Sequence, residues 1–468
     1  MSSSIKILIL ICGIFYMSEY LYAQTVTWNR VYGGSQQEYG KYGIQTFDGG
    51  YIILAEMDSL FRRTFLLKLD QYGNKEWEKF IDSSGGGFRC IQQTNDSGYI
   101  IAGWTGKARL IRTNKTGIQI WSKEYSINNE FSFFNKVKIL SDGNFIMCGN
   151  NSSPRRAYFV KTDSSGNLIW QNSYSNSTYF TDAFDVAESS DNFYYITGLT
   201  YINGYAKTLI GKISNSGDQI WFNSHGSEEK GDAELGKVIF VESDNLISVG
   251  GSLRDFYNFK GHFSKYDTSG NFIYQRLYES MDEFHSMSKS KSGYSMCGDD
   301  AQGSKINFIK ITNEGIEVNN IVFNSNLNSL DYGNSINTTL DGGFIITGNT
   351  GMEKNKDILV IKTDSIGYAP LQIFNFTSNF PETFKLYQNF PNPFNSSTTI
   401  KFDVYKSTNV KLFIYNSLGQ VVSRLIDKYL LFGSYSVNFN IEFLGSGVFY
   451  YTIFTKNYSD TKVMIHLK

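Results

Sequence analysis

Short apolar runs of four to six residues, each opened by a polar turn and closed by Gly or a small residue, recur along most of this chain. They read Asp-Gly-Gly-Tyr-Ile-Ile-Leu-Ala from Asp48, DSGYIIAG from Asp96, DGNFIMCG from Asp142 and DNFYYITG from Asp191, then DNLISVGG from Asp244, KSGYSMCG from Lys291 and DGGFIITG from Asp341. The spacings are 48, 46, 49, 53, 47 and 50 residues. Runs this short, bounded by turn residues and rich in β-branched and aromatic side chains, predict buried strands rather than helices. A second motif follows each: KLDQYG from Lys68, RTNKTG from Arg112, KTDSSG from Lys161, KISNSG from Lys212, KYDTSG from Lys265, KITNEG from Lys310 and KTDSIG from Lys362. Asp or Asn there predicts a local turn, with Gly at the position of positive φ. The recurring Asp is read as structural.

A third element is an aromatic residue four positions after that Gly: Trp77, Trp121, Trp170, Trp221 and Tyr274, degenerating to Asn319. The seventh copy ends in Gly367-Tyr368-Ala369-Pro370 without it, and the missing strand stands near the start of the chain as Trp28-Asn29-Arg30-Val31-Tyr32. A ring of four-stranded blades explains this permutation, because a strand from one end can complete the last blade and leave no open edge. A period near 48 residues fits propeller modules. The fold class predicted is all-β: a seven-bladed β-propeller over residues 24–369, its N-terminal strand closing the last blade, a linker over 370–383, and a C-terminal β-sandwich over 384–468. The first blade is expected as strands 43–47, 51–55, 65–69 and 76–80. Such propeller repeats resemble units common in secreted bacterial proteins, a resemblance that implies the fold and brings no activity.

Composition agrees with an all-β protein: 37 Phe, 32 Tyr and 43 Gly against 5 Pro. The net charge of −1 gives no basic field for nucleic acid or anionic lipid. Lys6 and the apolar stretch 7–16 predict a signal peptide over residues 1–23, cleaved between Ala23 and Gln24. No later apolar run is long enough to span a membrane, so no transmembrane segment is expected in the mature chain. The remaining cysteines, Cys90, Cys148 and Cys297, give no disulfide framework and are expected as small core residues.

Four of the five prolines lie between Pro370 and Pro393, and short Gly-punctuated strands follow. The stretch Leu386-Tyr387-Gln388-Asn389-Phe390-Pro391-Asn392-Pro393-Phe394-Asn395 resembles the opening of the type A C-terminal sorting domain of the type IX secretion system. VKLFIYNSLG, ending at Gly419, resembles its second hairpin; Gly447 to Tyr451 (with Tyr450) and the closing segment from Lys462 to Lys468 resemble its final strands. The resemblance implies export across the outer membrane of a Bacteroidota-type bacterium by the type IX machinery. It also implies cleavage of the domain, with release or attachment at the cell surface.

No HExxH, GxSxG, P-loop or Cys-His pattern appears. His225 occupies an aromatic slot, His262 is expected on a strand, and His285 in an inter-blade loop. The Asp-x-x-Gly-x-x-x-Trp unit is similar to the tryptophan motif of quinoprotein propellers, but with one residue fewer between Asp and Gly, and it is read as blade packing. An acidic residue recurs just before the expected first strand of six blades: Glu38, Glu130, Asp182, Asp232, Asp282 and Asp331. These acids could ring the channel mouth and hold Ca²⁺ or a basic ligand; the alternative is that each bonds its own inter-blade loop. No other cofactor is expected. The preferred reading is a non-enzymatic secreted or surface module binding a protein or polysaccharide. The alternatives are a carbohydrate-active hydrolase or lyase with a diverged site, and a structural envelope component.

Overall fold

Asp163 shows how the recurring turn builds the fold. Its Oδ1 accepts from the backbone N–H groups of Ser165 (2.9 Å) and Asn167 (2.8 Å), and Gly166 takes φ +75°. Asp70, Asn114, Asp267 and Asp364 make the same bonds at the equivalent turns. The turns at Asp70, Asn114, Asp163 and Asp267 each join a third to a fourth antiparallel strand, and the Asp364 turn ends the third strand of the last group. The first motif's Asp is tied to the second motif's cation: Lys68 to Asp48 at 3.1 Å, Lys212 to Asp191 at 3.5 Å and Lys362 to Asp341 at 2.9 Å. In these copies one ion pair holds the two motifs together, whereas the sixth copy has Lys291 in place of the Asp.

In the computed structural model the described residues are 26–467, apart from 35, 59–61, 153–154, 176–179, 228–231, 244, 256–257, 325–328, 353–354, 370–373, 376–383, 405–407, 431–432, 441–444 and 457. The expected signal peptide with Ala23 and Gln24, most of the expected linker, and Lys468 lie outside them. The chain divides into two compact units, residues 1–372 and 373–468.

The first unit is built of antiparallel four-stranded groups. The first group comprises Gln37–Gln45, Tyr51–Asp58, Arg63–Leu69 and Lys75–Asp82. Further groups span 87–125, 132–174, 181–225, 233–278 and 281–323. The fourth and fifth are linked by a single parallel bridge, Ala206 to Ala233. The last group has three strands of its own, Tyr332–Thr338, Phe344–Met352 and Asn355–Thr363. Its fourth is Trp28–Tyr32, paired from Trp28↔Lys362 to Tyr32↔Ile358. Among the described residues this makes seven groups. The first strand of each neighbours the first strand of the next, and the last neighbours the first, so the ring is closed. Asn334 Nδ2 donates to Gly40 O at 2.7 Å, and Gly43 N to Ser335 Oγ at 3.2 Å, across that closure.

The core lies between adjacent groups. Ile52, Leu54 and Leu66 of the first pack on Phe88, Tyr99 and Ile101 of the second, all fully or nearly fully buried. Second strands are buried on both faces, which is why their sequences are continuous apolar runs. Fourth strands are exposed along much of their length. Their recurring aromatics fasten neighbouring groups. Tyr125 OH donates to Gly166 O at 2.8 Å, Tyr278 OH to Gly315 O at 2.7 Å, and Tyr32 OH to Gly73 O at 2.5 Å. A Cβ on Gly166 would come within 2.7 Å of Trp121, so this glycine answers both to its positive φ and to the neighbouring indole.

The second unit is a two-sheet sandwich. One sheet orders Lys385–Leu386, Ser397–Val404 and Gly433–Asn440; the other orders Val421–Leu430, Thr408–Tyr415, Gly447–Phe454 and Ser459–His466. Ile400, Phe402 and Val404 alternate inward from the first sheet, and Val410, Leu412 and Ile414 from the second, onto one core.

Candidate functional site

Two regions of the first unit combine polar chemistry with burial: the inner ring of first strands, and a cleft between the fourth and fifth groups. Each first strand carries a β-bulge, and the residue left unpaired by it is Lys41, Arg89, Asn135, Phe184, Lys237, His285 or Asn334. A bulge re-aims its side chain. Here several reach the next group at the residue before its own bulge. Asn135 Nδ2 donates to Ala183 O at 2.7 Å, and Lys237 Nζ to Phe284 O at 2.6 Å. Asn334 reaches Gly40 in the same way, and Arg89 donates to the Asn135 side chain. One residue further on, Lys136 Nζ donates to Tyr42 OH at 3.1 Å, and Tyr42 OH donates to Asn337 Oδ1 at 3.3 Å. These three residues belong to the third, first and seventh groups. Asp185, fully buried, accepts from Ile239 N at 3.2 Å and stands 3.5 Å from Lys138 Nζ.

The six acids do not share one register on this ring. Glu38, Asp182 and Asp282 lie inside first strands rather than before them, because those strands begin up to six residues earlier than the sequence suggested. Counting back three residues from the bulge gives Glu38, Asp282 and Asp331. In the fifth group that position is Glu234, not Asp232; in the third and fourth it is Ser132 and Thr181. Glu38 is buried and accepts from Gly34 N at 3.3 Å. Asp182 is buried, pairs with Arg155 Nε at 2.7 Å and accepts from Asn150 Nδ2 at 2.5 Å, both in the preceding group. Asp331 N donates to Ser304 O at 3.0 Å, again in the preceding group. Glu130 and Asp232 flank strand starts; Glu130 accepts from Asn151 Nδ2 at 3.5 Å. Burial raises the Asp282 carboxyl, with Asp299, Glu283 and Asp300 adding to it. Among the described residues, one set of three donor side chains brings its ligand atoms within 4.8 Å of one another: Glu283, His285 and Asp299. His285 is therefore on strand Met281–Ser290, not in the loop where the sequence placed it. The missed signal was Glu-x-His on a strand, where i and i+2 share a face.

The cleft between the fourth and fifth groups has a volume of about 410 Å³ and is lined by Phe222, Asn223, His225, Tyr266, Asn271 and Phe272. His225 stacks on Phe272 with centroids 3.8 Å apart and planes 9° from parallel. Burial, with Lys207 adding, holds the His225 imidazole below its ordinary pKa. Beside Tyr266 lies a buried Glu234–His262 pair, Oε1 to Nε2 3.9 Å. Glu234 accepts from Thr208 Oγ1 at 3.1 Å and from Gln275 Nε2 at 2.9 Å, and burial pushes its carboxyl up to about 7. Burial pushes His262 down to about 4. His262 is on strand Asn258–Asp267, as its sequence pattern predicts, and hydrogen-bonds Ser264 Oγ and Leu235 O. Cys90, Cys148 and Cys297 are buried and free.

In the second unit, the motif from Gln388 to Asn395 is fastened along the last strand, Ser459–His466. Asn392 Nδ2 donates to Val463 O at 3.2 Å, and Ile465 N donates to Asn392 Oδ1 at 2.8 Å, so one amide serves as a short strand partner. Phe394 N donates to Ile465 O, Leu467 N to Phe394 O, and His466 Nε2 meets Asn395 O at 2.6 Å. Pro391 and Pro393 follow cis peptide bonds on either side of Asn392. Gly419, at φ +77°, closes a turn whose Asn416 Oδ1 accepts from Leu418 N and Gln420 N. Gly447 and Tyr450 pair with His466 and Val463 across the edge hairpin, and Lys462 lies 3.9 Å from Asp460.

Residues 388–466 match the family described as the secretion system C-terminal sorting domain. No curated protein matches the chain. Among solved structures, the chain is similar to a protein of unknown function from Bacteroides caccae (11% identity, 62% of this chain and 94% of that one, TM-score 0.40). It is also similar to PorZ, a bacterial surface component of the type IX secretion system of Porphyromonas gingivalis (12% identity, 90% of this chain and 58% of that one, TM-score 0.39). A third similarity is to the Dos1 propeller (10% identity, 72% and 80%, TM-score 0.45). The second unit is thus a type IX sorting domain, which implies an interaction with that secretion machinery, and the protein is secreted or held at the cell surface. No helix among the described residues is long and apolar enough to cross a membrane.

Proposed function

We propose that this protein is an exported propeller that binds a protein or polysaccharide outside the cell without transforming it. The observation that carries the reading is the sorting domain over residues 388–466 joined to a ring-shaped unit. The cleft between the fourth and fifth groups supports a saccharide ligand. The stacked His225–Phe272 pair offers a flat apolar face for sugar C–H groups, and Asn223 and Asn271 offer both hydrogen-bond donors and acceptors for hydroxyls. The test is retention of the full-length protein on immobilised extracellular polysaccharides and surface proteins, with F272A alongside. Retention of the parent protein, and a loss of about 10-fold or more in affinity for F272A, are expected of an aromatic anchor. Release of new reducing ends from a bound polysaccharide would overturn the non-enzymatic reading; failure to retain any ligand would overturn binding.

A further inference from the structure

We propose that Glu283, His285 and Asp299 form a binding site for a single divalent transition-metal ion, of the class to which Zn²⁺ belongs. The site is separate from the cleft and belongs wholly to the sixth group. Glu283 and His285 come from its bulged first strand, Met281–Ser290, and Asp299 from the adjacent Gly293–Asp300.

Three observations carry the assignment. First, the donor set is one imidazole and two carboxylates, with ligand atoms within 4.8 Å of one another. That chemistry suits Zn²⁺ and its neighbours, which take nitrogen and oxygen at about 2.0–2.2 Å. Ligands at that distance in adjacent coordination positions stand roughly 3 Å from each other, and His285 Nε2 lies 3.1 Å from Asp299 Oδ1. Second, these two atoms are not aligned for a hydrogen bond, and each is buried without any hydrogen-bond partner. Asp299 retains 7% of its accessible surface. A buried carboxylate oxygen with nothing donating to it is costly unless something positive completes it. Third, the first group shows what the same position looks like when a fixed cation is present. Asp299 is one residue past Gly298, opposite the bulge, where the first group has Glu56 one past Ala55. There Glu56 accepts from Phe88 N at 3.2 Å and pairs with the bulge residue Lys41 at 3.2 Å. In the sixth group the ammonium is replaced by an imidazole, a metal-ligand side chain, while the acid is kept.

Lys237 is the built-in competitor. Its Nζ lies 3.0 Å from Glu283 Oε1 and also donates to Phe284 O at 2.6 Å. Glu283 can keep that contact through one oxygen and offer the other to the ion. Asp282 and Asp300 lie close enough to add negative potential. Three protein ligands leave a coordination position for water or for an oxygen of a ligand.

The test uses the full-length protein, stripped with a chelator, loaded with Zn²⁺, passed through a desalting column, and assayed for bound metal and for its melting temperature. One equivalent of Zn²⁺ per chain and a raised melting temperature are expected. H285Q and D299N should each weaken Zn²⁺ binding by at least about 10-fold, a loss no smaller than that expected from disturbing an outer-shell partner. H225Q, at the cleft, should bind as the parent does. X-ray absorption at the zinc edge of the unsubstituted protein should show one imidazole and otherwise oxygen neighbours, a reading independent of whether the variants fold. No retained zinc, equal retention in an H285Q/D299N double variant, or a sulfur-containing shell would each overturn the site.

Discussion

Glu234 and His262 oppose each other in their response to pH, and replacing one exposes the other. Burial raises Glu234 from 4.5 to about 7. The folded chain therefore holds that proton more tightly than the unfolded chain does, by about 3 kcal/mol at about 1.4 kcal/mol per pH unit. Its stabilising effect is complete below pH 4.5 and is lost as pH rises through 7. Burial lowers His262 from 6.5 to about 4, so its effect is complete above pH 6.5 and is lost as pH falls through 4, with a similar magnitude of about 3 kcal/mol. Between pH 4.5 and 6.5 the two nearly cancel. Gln at 234 keeps an oxygen for Thr208 and Gln275 but carries no titrating proton. E234Q should therefore lose stability steeply on acidification from pH 6.5 to 4, and its stability relative to the parent should rise by about 3 kcal/mol between pH 4.5 and 8. Urea denaturation of both proteins at four or five pH values measures this. A stability difference that stays constant across that range would refute the reasoning.

Two further outcomes follow from the packing. Trp28 is buried, meets Tyr51 edge-to-face at 5.4 Å and donates from Nε1 to Gln71 O at 3.2 Å, so W28A should cost about 3–5 kcal/mol and lower the urea midpoint of the ring; an unchanged midpoint would count against closure by this strand. Asn392→Ala removes both amide contacts to the last strand, a loss of about 1–2 kcal/mol. Limited proteolysis of the full chain should then cut near residues 459–466 faster than in the parent, and equal rates would show that Asn392 does not hold that strand.

The repeat was legible because its turns use a narrow chemistry. Asp with Gly two or three residues on can be read without coordinates, and so can a Trp-headed strand missing at one end and present at the other. The sandwich strands were legible from alternation, as at Ile400, Phe402 and Val404. The first strands were not, since Gln37-Glu38-Tyr39-Gly40-Lys41 shows neither an apolar run nor clean alternation. Those strands face one another around the axis, where Tyr42, Lys136 and Asn337 are held by polar contacts rather than by an apolar core. The bulge in each then shifts the register by one residue. Spacing counted along the chain selected Asp232, which does stand just before its strand Ala233–Val241, whereas the register counted from the bulge selects Glu234; the spacing also put His285 in a loop. The roles of the recurring Trp and Tyr were hidden for a related reason: each acts on a turn some 40 residues ahead, in the next group.

Closure by Trp28–Tyr32 also sets an order of events. On a chain made from its N-terminus, the groups from 37 to 323 have all four strands in hand as soon as each has emerged. The last group does not. Its closing strand is synthesised first and waits, unpaired, until residues 358–362 appear more than 300 positions later. Joining ends that far apart carries a loop-closure entropy that none of the other groups meets within itself. The seam between the first and last strands is therefore the natural place for the ring to open when the folded protein breathes. Amide exchange at 28–32 and 358–362 would run ahead of that in the buried second strands opposite them.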